Sequence, residues 1–130
     1  MNNYIEIIIT IVSAALGWII VHHFTSRRDR KNKIREIRIQ YLIEAFRKIG
    51  MAIQREKDDT FFGELESAFH DVQLFGSKRQ INMLMEFMDE YREKKTANID
   101  MLLNELRDDL RKELSLSPIK ERIKWFRVKK

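Results

Sequence analysis

The sequence contains no cysteine, which excludes several kinds of site at once. Without thiols the chain forms no disulfide, supplies no thiolate nucleophile and offers no cysteine ligand to zinc. It also has only one proline and four glycines among 130 residues. Because these residues favour turns, few tight turns are expected. Leu, Ile, Met, Glu, Lys and Arg, which favour helices, are abundant. The composition predicts an all-α fold.

Sequence motifs that carry catalysis are also missing. There is no glycine-rich phosphate loop and no serine nucleophile motif. His70 follows Glu66 by four residues, so the two could form an acid/base pair or half of a metal site on one helix face. A di-iron helix motif has Glu-x-x-His spacing, so we interpret this pair as structural. Adjacent His22 and His23 would point about 100° apart on a helix. We interpret them as interfacial, and we expect no enzymatic activity, cofactor or metal.

One long apolar segment occupies residues 4–24. Residues 7–24 carry no charged side chain, and Glu6 is the one charge in the segment. Twenty-one helical residues are about 31 Å long, which matches a hydrocarbon core of about 30 Å. A cleaved signal peptide has basic residues before the apolar run and small residues after it. Here no Lys or Arg precedes the run, and the small residues fall inside it. The segment therefore predicts a transmembrane helix.

Positive charge is concentrated in two segments of the remaining chain. Residues 25–38 hold seven Lys/Arg against two acidic residues, and residues 118–130 hold six against one, so each carries +5. The rest of the chain carries −5, because the total is +5. Cationic flanks stay in the cytosol, and here they follow the apolar segment. The pattern predicts a membrane protein with its N-terminus outside and its C-terminal domain in the cytoplasm.

Helical periodicity divides the chain into four predicted regions. We expect a transmembrane anchor at 1–24 and a basic juxtamembrane stretch with the first cytosolic helix at 25–53. A small helical bundle follows at 54–116, and a basic amphipathic helix at 117–130. Mixed charges at 107–113 are interpreted as a solvated helix face.

Residues with known capping preferences mark the ends of the predicted helices. Gly76 suits a helix C-terminus with positive φ, and Ser77 with Gln80 predicts a capping box for the next helix. The sequence KKTAN at 94–98 interrupts the apolar pattern and predicts a break. A Ser-Pro pair at 117–118 predicts the start of the last helix.

Two apolar stripes follow the first cytosolic helix, and a stripe of small residues follows the anchor. The stripe predicted to face the bundle core contains Ile39, Leu42, Ile43, Phe46, Ile49 and Ile53. A second, narrower stripe lies on the far side and consists of Ile34, Ile37, Tyr41 and Ala45. It suggests contact with another copy of the chain, through Ile34, Ile37 and Tyr41. Small side chains let helices approach closely in lipid. The anchor therefore has a candidate self-association face, formed by Thr10, Ser13, Ala14 and Gly17.

The basic segments are the candidate binding sites of the chain. Cations next to a membrane span contact anionic lipid headgroups, and an amphipathic helix with Trp and Phe lies in the membrane interface. Clustered cations beside an aromatic ring also bind nucleic acid, which is the alternative partner. The predicted contact residues are Arg27, Arg28, Arg30, Lys31, Lys120, Arg122, Lys124, Trp125, Arg127, Lys129 and Lys130.

The layout resembles small bacterial single-pass proteins of mobile and anti-phage defence loci, including accessory proteins beside some type VI CRISPR systems. The resemblance lies in the anchor, the Arg-Arg-x-Arg-Lys flank at 27–31, the corner at 73–77 and the sequence LRDDLRKEL at 106–114. It implies a homo-oligomeric scaffold or pore-forming component of the bacterial inner membrane, with a protein partner from a neighbouring gene. Some of those proteins are similar to HEPN folds, but the arginine–histidine nuclease motif is missing here, so no functional residue is carried over. The alternative function is a membrane-tethered nucleic-acid-binding module.

Overall fold

The computed structural model describes residues 2–54 and 59–126, and within them the chain is helical with no strand. The described helices are α1 (Asn2–Gln54), α2 (Asp59–Phe75), α3 (Lys78–Lys94) and α4 (Asp100–Glu113). The all-α prediction is confirmed. The chain divides into two compact units, Met1–Glu36 and Ile37–Lys130, and α1 contributes residues to both.

The first unit consists of the apolar and basic parts of α1. An 18-residue window there has a mean hydropathy of 2.2, and none of it is buried. By length and composition, α1 is the one described helix that is long and apolar enough to cross a membrane. Thr10 donates its hydroxyl hydrogen to the carbonyl of Glu6 (2.8 Å), so its polar group is satisfied within the helix.

The second unit is built around a core of aliphatic side chains from four helices. The stripe predicted to face inward does so, because Leu42 and Ile49 are fully buried and Ile39, Ile43, Phe46 and Ile53 pack against the core. Helix α4 contributes Leu102, Leu103 and Leu106, which are all nearly or fully buried. Burying each leucine contributes about 1.5–3 kcal/mol. This core is therefore the main source of stability of the second unit.

The corner between α2 and α3 is fixed by the predicted capping box. Ser77 Oγ accepts from the Gln80 backbone N–H (3.3 Å), and Gln80 Oε1 accepts from the Ser77 N–H (2.8 Å). The prediction that Gly76 has positive φ is wrong. Its backbone lies so close to Val72 that a Cβ would be 2.4 Å from the Val72 carbonyl oxygen. Glycine is required there because of this contact, not because of its φ angle.

The predicted break at 94–98 is confirmed. Helix α3 ends at Lys94, Lys95 has a left-handed backbone (φ 57°), and α4 begins at Asp100. Asn98 Oδ1 accepts from the Asp100 N–H (2.7 Å), an Asx-type turn that satisfies one of the first amides of α4.

The predicted amphipathic helix at 117–130 is wrong for residues 117–126, which have irregular backbone. Helix α4 ends in a Schellman motif in which Ser115 has φ 57° and the Leu116 N–H donates to the Arg111 carbonyl (2.8 Å). The Arg111 guanidinium then donates twice to the Ser117 carbonyl, at 2.9 and 2.8 Å. A helix starting at Ser117 would use that carbonyl for its first intrahelical bond. In the structure, the Ser117 carbonyl accepts from the Arg111 guanidinium instead.

Candidate functional site

The candidate self-association face of the first unit is open. Thr10, Ser13, Ala14 and Gly17 are all exposed. A Cβ added at Gly17 would meet nothing within 4 Å. The helix therefore does not need glycine at this position for its own packing. Close approach by another helix is a physical use for such a position.

Cations of the predicted flank are exposed and pair weakly with their neighbours. Arg27, Arg28, Arg30 and Lys31 all lie on the surface. The Arg28 Nε lies 4.0 Å from the Asp29 carboxylate, and both side chains are about 70 % exposed. Such an exposed pair contributes about 0–1 kcal/mol and holds neither group firmly. The positive charge is therefore accessible to an anionic partner.

Aromatic contacts account for the two adjacent histidines. The His22 ring stacks on Trp18 (centroids 5.2 Å apart, planes 9° apart). The His23 ring meets Phe24 edge-on at 6.3 Å. No group of three or more His, Cys, Asp or Glu residues in the described part of the chain could hold a metal ion. The interpretation of both histidines as interfacial stays a prediction, because these contacts lie within one exposed stretch of α1.

The second apolar stripe of α1 differs in exposure along its length, and its prediction is wrong at Ala45, which is fully buried in the core. Ile34, in the first unit, is 59 % exposed. In the second unit Ile37 is 37 % and Tyr41 41 % exposed, and the Tyr41 ring stacks on Phe75 with centroids 4.6 Å apart. Tyr41 therefore already has an intramolecular partner at the α2–α3 corner. Its role as a contact with another chain remains a prediction.

A polar cluster that the sequence interpretation missed joins α1, α3 and α4. Arg38 Nη2 lies 2.8 Å from Asp109 Oδ2, and Gln80 Nε2 donates to the same oxygen at 2.8 Å. Arg38 Nε also donates to the Phe75 carbonyl (2.9 Å). Gln80 is fully buried and is the one buried polar or charged side chain in the described ranges. The interpretation of residues 107–113 as solvated is therefore wrong at Asp109, whose carboxylate accepts bonds from two other helices.

The pair His70 and Glu66 lines a cavity of about 720 Å³ between α2 and α3. Apolar and aromatic side chains form most of its wall, among them Leu65, Phe69 and Phe87. The Phe69 and Phe87 rings meet edge-on with centroids 5.7 Å apart. Both His70 and Glu66 are exposed. The two side chains therefore line the cavity and remain in contact with solvent.

The C-terminal segment packs against the helices of the second unit, to which it belongs. The Ile123 N–H donates to Asn104 Oδ1 (3.0 Å), and Ile123 and Trp125 pack against the core. Lys120, Arg122 and Lys124 are exposed, whereas Trp125 is half-buried. Of the other predicted contact residues, Arg127, Lys129 and Lys130 lie outside the described residues. The three described cations are thus accessible, but the Trp125 ring is occupied by contacts within the chain.

Comparison with known proteins gives no relative from which a role could be transferred. No family model matches the chain, no curated protein is similar to it, and no solved structure matches its fold. The fold and the site define an all-helical protein with one exposed apolar helical segment, a basic flank and a packed second unit.

Proposed function

We propose that this chain is a single-pass protein of the bacterial inner membrane, anchored by residues 4–24. The observation that carries the proposal is an apolar window of mean hydropathy 2.2, of which no part is buried. Ile8, Ile11 and Val21 each expose more than half of their surface. Apolar surface in water is unfavourable by about 25 cal/mol per Å², and a lipid core removes this cost. The basic flank supports an orientation with the second unit in the cytoplasm.

Within the membrane, the chain acts as a homo-oligomeric interaction protein, as a scaffold or a pore-forming component. Support comes from the open small-residue face of the anchor, where Gly17 has nothing within 4 Å of its Cβ position. The accessible cations at 27–31 support contact with anionic headgroups. The resemblance of the layout to anti-phage defence proteins supports a role in that process.

Membrane fractionation of the full-length chain tests the anchor. We expect the protein to stay in the pellet after carbonate extraction and ultracentrifugation, at the mass of the uncleaved chain. Replacing Val12 and Leu16 with arginine should move it out of the membrane fraction, because each arginine costs about 2.5–3.5 kcal/mol at a helix centre. A wild-type chain that stays in the supernatant contradicts the proposal. A shortened chain identifies the segment as a cleaved signal sequence.

Cysteine labelling tests the orientation, since the natural chain has no cysteine. Asn3→Cys and Lys112→Cys each introduce one thiol at an exposed position. A membrane-impermeant maleimide should label the first variant in intact spheroplasts and the second only after permeabilisation. The reverse pattern means that the second unit lies outside the cell.

A further inference from the structure

Residues 117–126 combine a helix-forming pattern with a non-helical structure. Ile119, Ile123 and Phe126 follow one another at helical spacing, with Lys120, Arg122 and Lys124 between them. In the structure the segment is nevertheless irregular and lies against the helices. The contacts of the segment with the helices therefore override its local preference for a helix, a mismatch that is expected at functional or strained sites.

The conformation in which residues 117–126 lie against the helices is the docked conformation. It depends on a close contact between Trp125 and Gly50. A Cβ at Gly50 would lie 2.7 Å from Cζ3 of Trp125 and 2.8 Å from Cη2, so the ring needs glycine at this position. The Phe46 ring is the neighbouring aromatic, with centroids 6.3 Å apart. The missing side chain of Gly50 thus leaves room for the indole of Trp125, and this space is the Gly50 socket.

In the docked conformation, the indole N–H of Trp125 and the ring of Phe126 both have unfavourable surroundings. Trp125 Nε1 is buried and has no hydrogen-bond partner among the described residues. A buried donor without a partner disfavours the state that contains it. Phe126, the next residue, is 83 % exposed. At a membrane surface both rings would lie among headgroups, where the indole N–H has acceptors and the phenyl ring leaves water.

We propose that residues 117–126 bind the surface of an anionic bilayer and leave the Gly50 socket when they do so. The inference rests on the proposed membrane anchoring, which keeps the segment at high effective concentration near lipid. Released from Gly50, the segment has Ile119, Ile123 and Phe126 for the apolar side of the interface. Its three cations face phosphate groups, each worth about a factor of five in partitioning.

Tryptophan quenching in the reconstituted full-length chain tests this binding. The chain has two tryptophans, so Trp18→Phe leaves Trp125 as the reporter. Vesicles contain phosphatidylcholine alone or mixed with phosphatidylglycerol, in each case with brominated acyl chains as quencher. We expect quenching of Trp125 in the phosphatidylglycerol vesicles and weak quenching in phosphatidylcholine. Lys124→Gln should shift the docked-to-bound ratio about fivefold toward the docked state.

A matched pair of glycine variants tests the socket. Gly50→Ala in the same background should cause quenching at a lower phosphatidylglycerol fraction, because the added methyl displaces the indole. Gly63→Ala is the control, since its added methyl meets nothing within 4 Å, and it should behave as the parent does. Equal quenching in both lipid compositions, or none in either, overturns the proposal. RNA binding without lipid quenching overturns it in favour of a nucleic-acid partner.

The reciprocal reporter separates the inference from the proposed function. Trp125→Phe leaves Trp18, which lies in the anchor, as the only tryptophan. Quenching of Trp18 in both lipid compositions together with an unquenched Trp125 leaves the anchor intact and refutes the surface binding alone. An unquenched Trp18 refutes the membrane anchor itself.

Discussion

The guanidinium of Arg38 and the carboxylate of Asp109 meet at 2.8 Å, although 71 positions of sequence separate them. Both side chains keep only about a quarter or less of their surface exposed. The same carboxylate oxygen accepts from buried Gln80, whose own carbonyl oxygen caps α3. One carboxylate therefore links α1, the helix corner and α4.

Removing the arginine of this cluster should destabilise the second unit. Arg38→Met leaves the Phe75 carbonyl without this donor and removes the positive charge beside Asp109. Bonds to charged groups contribute about 1.5–3 kcal/mol each, and partial exposure places the expected loss near the lower value. Urea unfolding of the full-length chain in mild detergent, followed by circular dichroism, measures the change.

The control for this variant is another arginine in an exposed ion pair. Arg79 Nε lies 3.4 Å from the Glu105 carboxylate, but the arginine side chain is 71 % exposed. Arg79→Met should therefore change the free energy of unfolding by less than about 1 kcal/mol. Equal losses for both arginines would mean that the Arg38 cluster contributes no more than a surface ion pair.

Gln80→Glu should make stability depend on pH. The substitution places a second carboxylate next to Asp109, where the amide now donates at 2.8 Å. Repulsion raises the affinity of the folded state for a proton, so the unfolded state binds fewer protons and stability falls as pH rises. The free energy of unfolding of Gln80→Glu should therefore fall further below that of the wild type at pH 7 than at pH 5. Gln80→Leu, which adds no charge, should show a deficit that is independent of pH over this range.

Gly76→Ala and Gly63→Ala should change stability in opposite directions. A methyl group at Gly76 would lie 2.4 Å from the Val72 carbonyl oxygen, which is backbone and moves little. Overpacking of this kind costs about 1–3 kcal/mol. At Gly63, inside α2, a methyl meets nothing within 4 Å and should stabilise by about 0.5–1 kcal/mol. Urea midpoints measure both, and a stabilised Gly76→Ala would contradict the close approach.

Two local signals were predicted correctly from the sequence, and contacts between distant segments were not predicted. The Ser77–Gln80 capping box and the break at 94–98 depend on neighbouring residues, so spacing alone predicts them. The pairing of Arg38 with Asp109 has no periodic signature, because each residue also fits an ordinary solvated face. The sequence interpretation therefore counted Arg38 in the basic segment and placed Asp109 on a solvated helix face.

The helix prediction for residues 117–126 was wrong for a related reason. Their Ser-Pro start and apolar spacing favour a helix when the segment is considered alone. The contacts that override this preference come from elsewhere in the chain, namely the Arg111 guanidinium on the Ser117 carbonyl and the Gly50 socket for Trp125. No pattern within residues 117–126 encodes these contacts.

Gly17→Ile should abolish self-association of the anchor without disturbing the fold of a single chain. Because the Cβ position at Gly17 has no neighbour within 4 Å, the added side chain disturbs no packing within the chain. Any large effect must then arise between chains, where a bulky residue prevents close helix approach. Ala15→Ile is the matched control, since residue 15 lies about 160° around the helix from residue 17. Chemical crosslinking in membranes, followed by sizing in detergent, should show a defined oligomer for the wild type and for Ala15→Ile, and a monomer for Gly17→Ile. A monomeric wild type, or equal loss in both variants, would mean that this face does not mediate assembly.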